Sequence, residues 1–262
     1  MAGRFSGSNP LHRNTRRRGL TLLELVVVMG ILVVLAGVLV PLLPGLLSDA
    51  HFSSGATTID EMNKSIATYE ALNRSQPDGF DLLVDSTGSI PDYCSFAHEA
   101  FAGNFSTYAL TDNDVESLAS VGIANVYTML VGTETGFHPT FNCTEDTPTP
   151  ITAGMEVVRV EDTFVQERLG YGNPLGTTYV VFGVGERCTM VGAKRGGITE
   201  APVKGGPDAE HGPDTIYGRC GLVYRLDSTS GSPASLVAAC LLGKDGLVTS
   251  ERLTTKYYNN QR

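Results

Sequence analysis

Polar side chains all but vanish between residues 20 and 47, where only Thr21 and Glu24 interrupt an apolar run. The run is about 28 residues long, or about 42 Å as a helix at 1.5 Å per residue, enough to span a hydrocarbon core of about 30 Å. Beyond it the pattern changes. Phe52, Ala56, Ile59, Met62, Ile66 and Tyr69 recur at spacings of three and four, while Asp60, Glu61, Lys64 and Glu70 fall off that stripe. This is the pattern of an amphipathic helix packed on a core. Residues 20–47 and 48–73 therefore predict one long helix from Leu20 to about Asn73, half apolar all round and half one-sided. Pro41 and Pro44 lack backbone donors and predict a kink near the outer edge of the apolar half. Gly30, Gly37 and Gly45 are further weak points, and the first two would also permit close approach of another helix.

The helix should stop at Asn73-Arg74-Ser75-Gln76-Pro77-Asp78-Gly79, a dense turn signal. About 189 residues remain, 74–262, enough for one sizeable α+β domain. Thr111 with Asp114 is spaced to cap a short helix through Val121. Strands are expected at 125–131, 155–160, 177–184, 215–226 and 236–242, where Val, Tyr and Ile concentrate between turns. An antiparallel sheet laid against the outer half of the helix is the expected architecture. Residues 144–152 and 193–214, rich in Gly, Pro, Thr and charge, read as surface loops.

Charge adds direction. Residues 1–19 hold Arg4, Arg13, Arg16, Arg17 and Arg18 and no acid, against a net charge of −9 for the whole chain. Such an arm stays cytoplasmic by the positive-inside rule, so the domain beyond the apolar run is expected to be exported. An ordinary signal peptide fits poorly. Its apolar core is about 7 to 15 residues with a small-residue cleavage site after it, whereas here the small residue, Gly19, precedes a much longer run. The exported part is strongly acidic, which argues against binding a polyanion such as nucleic acid.

Glu24 stands out on energetic grounds. A carboxylate costs roughly 2.5 to 3.5 kcal/mol at the bilayer centre and less near an end, so its presence asks for a partner. Cutting the chain after Gly19 would create an ammonium group at Leu20, about one helical turn from Glu24. Opposite charges at the mouth of an apolar helix suit pairing. From the residues alone the pair could form between chains or within one, or the carboxylate could simply favour the helix dipole.

The stretch Arg18-Gly19-Leu20-Thr21-Leu22-Leu23-Glu24-Leu25 resembles the class III signal of type IV pilins and type II secretion pseudopilins. The resemblance implies cleavage by a prepilin peptidase between Gly19 and Leu20, methylation of the Leu20 amine, and a fold in which a long stalk helix packs against a sheet-bearing head. It also implies that Glu24 pairs with the amine of a neighbouring subunit and sets axial register in a filament. Pro41 stands where family members often carry a proline. Leu20 departs from the commonest residue, phenylalanine, but keeps the position apolar. Tyr69 to Val84, with Pro77-Asp78-Gly79, resembles the region after the helix in the major pseudopilins.

On this reading the chain comprises a cleaved cytoplasmic leader (1–19), a transmembrane half-helix (20–47), an amphipathic half-helix (48–73) and an extracytoplasmic head (74–262). It would be a structural subunit of a type II secretion pseudopilus, anchored by a single pass in the inner membrane until it joins a filament. Its implied partners are the prepilin peptidase, other pilin-like subunits, and the assembly platform with its ATPase. A minor pilin of a type IV pilus or competence system is the alternative, and a membrane-tethered exported binding protein or enzyme is a second.

The rest of the chain offers little chemistry. His51, His98, His138 and His211 form no metal-binding pair, and no hydrolase elbow, phosphate loop or dinucleotide fingerprint is present, so no catalytic residue is assigned. Some pseudopilins bind calcium in a C-terminal loop. Asp208, Glu210 and Asp214, or Asp245 beside Gly246 with Glu251, could serve, but neither set has a known ligand spacing and solvated loop acids are the expectation. The five cysteines, Cys94, Cys143, Cys188, Cys220 and Cys240, are an odd number, so at least one lacks a partner within the chain. A Cys188–Cys220 bridge between strands and a buried Cys240 thiol are the expected arrangement.

Overall fold

The computed structural model describes residues 21–39, 43–91, 105–130, 144–161, 176–193, 196–202, 219–243 and 246–248. The chain divides into two units, Met1–Leu47 and Ser48–Arg262. In the first, α1 runs over Leu22–Leu39 and contains no residue more polar than Glu24. The second helix, α2, runs over Leu43–Asn73 and crosses from the first unit into the second. The expected single helix is thus described as two, with residues 40–42 outside the described set. Pro41 lies there, while Pro44 stands in the first turn of α2, where its missing N–H has no helical partner to lose.

In the second unit, α2 contributes the stripe anticipated from its spacing. Ile59, Met62 and Ile66 are buried in the core and Ala56 and Tyr69 pack at its margin. Asp60, Glu61, Lys64 and Glu70 are exposed. The helix ends as Arg74 turns left-handed at φ 58° and its N–H bonds the Glu70 carbonyl at 2.7 Å, a capping turn more often taken by glycine. Asp78 then fastens the outgoing chain. Its Oδ1 accepts the Ala124 and Asn125 N–H groups at 2.9 and 2.8 Å, and its Oδ2 accepts the Asn125 side-chain amide at 2.9 Å.

Among the described residues, nine strands form one sheet: β1 Phe80–Asp85, β2 Phe105–Ala109, β3 Asn125–Met129, β4 Thr149–Pro150, β5 Glu156–Val160, β6 Thr177–Gly183, β7 Cys220–Asp227, β8 Ser235–Gly243 and β9 Gly246–Val248. The spine is β4-β3-β1-β6-β7-β8-β9. The sheet forks at β6, whose second edge takes β1 at Gly183 and β5 at Val180 and Val181, with β2 outside β5. The expected strands at 125–131, 155–160, 177–184 and 236–242 are found within a residue or two of their bounds. The one expected over 215–226 is described from Cys220 onward.

The antiparallel expectation needs correction, because β1 and β3 are parallel. The chain between them passes through β2 and the helix α3, Asp112–Ser120, a crossover long enough to bring it back in the same direction. The expected loop over 144–152 also carries a short strand, β4, and a bridge between Thr144 and Met129.

Register places Val180, Phe182, Leu222 and Tyr224 on one face and Tyr179, Val181 and Val223 on the other, and all are buried. Burial on both faces explains the near-continuous apolar run of β6. On the first face the rings of Phe80, Phe182 and Tyr224 meet at 5.9 to 6.1 Å, and Tyr224 donates to Gln76 Oε1 at 3.1 Å. Asn63 of α2 accepts the N–H of Ala239 in β8 at 3.1 Å, so the helix is also hydrogen-bonded to the sheet. Gly196, at φ 68°, lies so close to α2 that an added Cβ would come within 3.0 Å of the Tyr69 backbone.

α3 begins with the anticipated cap. Thr111 accepts from the Asp114 N–H while the Asp114 carboxylate accepts from the Thr111 N–H, a reciprocal box. Asp114 is fully buried and also receives Tyr108 and Ser228 hydroxyls, each at 2.8 Å. One carboxylate therefore joins α3, β2 and the turn after β7.

Candidate assembly site at the start of α1

α1 presents apolar side chains in every direction. Leu22 is 81% exposed and Val33 71%, and the other large side chains described on the helix are at least half exposed. An added Cβ at Gly30 or Gly37 would meet nothing within 4 Å, so the space beside these glycines is open. A helix that is apolar all round is normally covered, either by protein or by lipid.

The polar exception sits at the helix start. Thr21 is the N-cap: its carbonyl accepts the Leu25 N–H at 3.1 Å, and its Oγ1 accepts the Glu24 N–H at 3.3 Å. In return Glu24 Oε2 accepts the Thr21 N–H at 2.8 Å and the Thr21 hydroxyl at 3.0 Å. This is a capping box that satisfies donors no helical carbonyl can reach. Among the described residues, these bonds to the Glu24 carboxylate all fall on Oε2, and the side chain is exposed. Thr21 is thus the hydrogen-bond partner of Glu24. Its signal in the sequence is Thr-x-x-Glu immediately before an apolar run.

Gly19 and Leu20, the expected cleavage and methylation positions, lie outside the described residues. Among the described residues no helix is long and apolar enough to cross a membrane. α1 has 18 residues, about 27 Å at 1.5 Å per residue, against a hydrocarbon core of about 30 Å; the longer α2 is interrupted by polar and charged side chains.

In the head, Cys188, Cys220 and Cys240 are buried free thiols, so the bridge expected between Cys188 and Cys220 is not formed. Burial pushes the Cys188 and Cys220 thiols up to about 12, with Asp81 and Asp78 adding to the effect at Cys188. Cys240 is pushed up as well, chiefly by burial, and its Sγ lies 3.3 Å from the Gly221 carbonyl. Cys220 pairs in register with Leu241 and Cys240 with Gly221, which sets the two thiols on opposite faces of the sheet. Cys94 and Cys143 lie outside the described residues, as do His98, His138 and His211 and the acidic positions Asp208, Glu210, Asp214, Asp245 and Glu251. Among the described residues no group of three His, Cys, Asp or Glu side chains could hold a metal ion.

No curated protein and no solved structure matches the chain. Residues 14–40 match the family model described as the prokaryotic N-terminal methylation motif. That segment includes the Thr21–Glu24 cap and ends just past α1, so the chain carries a class III prepilin-like signal of the kind found on type IV pilin and pseudopilin precursors.

Proposed function

We propose that this chain is a structural pilin-like subunit, a pseudopilin of a type II secretion system. A prepilin peptidase cuts between Gly19 and Leu20, the new amine is methylated, and residues 20–47 hold the subunit in the inner membrane with its head outside. Extraction into a helical filament by the assembly platform follows, and the Glu24 carboxylate pairs with the Leu20 ammonium of an adjacent subunit. The head is a non-catalytic spacer or contact surface. The observation that carries this reading is the methylation motif over residues 14–40, placed on a helix whose start bears an acid and whose length is apolar on all sides.

The physical argument runs through the exposed surface. Lipid can cover α1 before assembly, and neighbouring helices can cover it afterwards. Packing of small residues such as Gly30 and Gly37 contributes in either setting. A paired carboxylate is far less costly in that environment than a lone one.

Intact-mass measurement on the protein purified from membranes tests the proposal. Loss of residues 1–19 with the mass of one added methyl group is expected. A full-length, unmethylated mass would overturn it and favour a tethered exported protein. The genes encoded beside this one separate a secretion pseudopilin from a subunit of a type IV pilus or competence system.

A further inference from the structure

We propose that Asp78–Gly79 is a latent self-modification site and that Asn125 is the positioning residue that keeps it closed. The modification is cyclisation to a succinimide followed by reopening as isoaspartate, and the inference is independent of the function proposed above. An aspartate followed by glycine is poorly protected against this reaction, because glycine has no Cβ to shield its peptide nitrogen. The Gly79 nitrogen bonds to Asp78 Cγ and gives up its proton, one carboxyl oxygen departs as water, and a five-membered ring closes. Water then opens the ring at either carbonyl. Opening at the main-chain carbonyl leaves the chain running through Cγ, one carbon longer and unchanged in mass. Water is the sole co-reactant.

In the folded chain Asn125 holds both reacting groups. Its carbonyl accepts the Gly79 N–H at 3.1 Å. Its own N–H donates to Asp78 Oδ1 at 2.8 Å, beside the Ala124 N–H at 2.9 Å, and its side-chain amide donates to Oδ2 at 2.9 Å. Closing the ring turns the carboxyl carbon onto the Gly79 nitrogen, which takes the carboxylate off these donors and the N–H off its acceptor. The surrounding main chain is fixed as well. The Asp78 N–H donates to Thr189 Oγ1 at 2.8 Å, and the Asp78 carbonyl accepts the Thr189 N–H at 2.9 Å. Gly79 is buried. A Cβ added there would lie 3.1 Å from the Arg187 carbonyl oxygen and 3.3 Å from the Tyr127 ring, so that side is already filled.

The consequence falls on the junction between α2 and β1. Isoaspartate lengthens it by one carbon just ahead of Phe80, whose ring packs against Phe182 and Tyr224. The modification therefore records an opening of this junction and outlasts refolding.

The full-length chain, purified in detergent, would be held at neutral pH and sampled over time. Isoaspartate at position 78 would be quantified on the released peptide by electron-transfer fragmentation. The native protein is expected to isomerise about a hundredfold more slowly than the same chain in denaturant, since several hydrogen bonds to a charged group are given up. Asn125→Ala removes the bond to Oδ2 alone and is expected to speed the native reaction about tenfold. Wild-type protein brought to the same stability with urea is expected to isomerise more slowly than this variant. An Asn125→Ala rate no higher than that of the urea-matched wild type would leave Asn125 a structural residue only, and would overturn the inference. Equal rates in native and denatured wild type would overturn it too, and a denatured chain that forms no isoaspartate would remove the site itself. Asn125→Ser takes the place of the alanine variant if that chain does not fold.

Discussion

Two acids in this chain use the same local device for different ends. Glu24 and Asp114 each sit three residues after a threonine N-cap and each returns a bond to the cap's N–H. Asp114 is fully buried, and its carboxylate also holds Tyr108 and Ser228. Burial, the largest cause, and the hydrogen bond that Tyr108 donates to the Asp114 carboxylate are among the causes that raise the Tyr108 hydroxyl above its ordinary value. Replacing Asp114 with alanine leaves three hydroxyls, those of Tyr108, Thr111 and Ser228, without that acceptor, so a loss of about 3 kcal/mol is expected in thermal or denaturant unfolding. Thr111→Ala removes the cap alone and should cost about 1 kcal/mol. Glu24 is exposed by comparison, and under the function proposed above a change there should alter assembly and leave the stability of the head as it was. The three described thiols make a further residue-level prediction. With Cys188 and Cys220 raised to about 12 by burial, a thiolate-selective alkylating reagent at pH 8 should leave Cys188, Cys220 and Cys240 unmodified in the native protein and label them after denaturation.

Elements with strong local patterns were readable in advance, and those made by pairing were not. The α2 stripe, the α3 cap and the apolar run of β6 each follow from spacing or composition. Ile66 is wholly buried, and Ile66→Ala should lower stability by about 2 to 5 kcal/mol through lost transfer energy and the cavity left behind. A shift in denaturant midpoint without a change in slope would check it. β1 shows the limit. Its first five residues are all buried, without the alternation that marks a half-exposed strand, because its register with β3 shifts between Asp81 and Asp85. Leu83 takes φ 65° within that irregularity, which re-aims the side chains that follow. Such a bulge depends on a partner strand more than forty residues away, and no local propensity encodes it. β9 and β4 are too short for their composition to separate them from loop. At the start of α1 the Thr-x-x-Glu spacing was fully legible, although the capping role of Thr21 emerged only from the hydrogen bonds.

At the scale of the molecule, charge and titration set how the head responds to pH. Burial pushes the Cys188 and Cys220 thiols from about 9 up to about 12 in the folded state. Their contribution is therefore fully present below about pH 9 and is lost as pH rises towards 12, because the unfolded chain releases those protons first. Melting temperature should fall across that alkaline range and fall less steeply in a Cys188→Ala, Cys220→Ala double variant. Asp227 acts at the other extreme: hydrogen bonds from Ser230 and Thr229 hold it down to about 2. Its turn keeps this support above about pH 4 and loses it as pH drops towards 2. By itself the sequence determined the apolar run, the acid at its head, the amphipathic helix that follows and most strand positions, because each is written in spacing along the chain. Tertiary structure decided the parallel pairing of β1 with β3, the fork at β6 and the free state of the described thiols. Those depend on which distant groups share a surface, and adjacency in the chain carries no record of that.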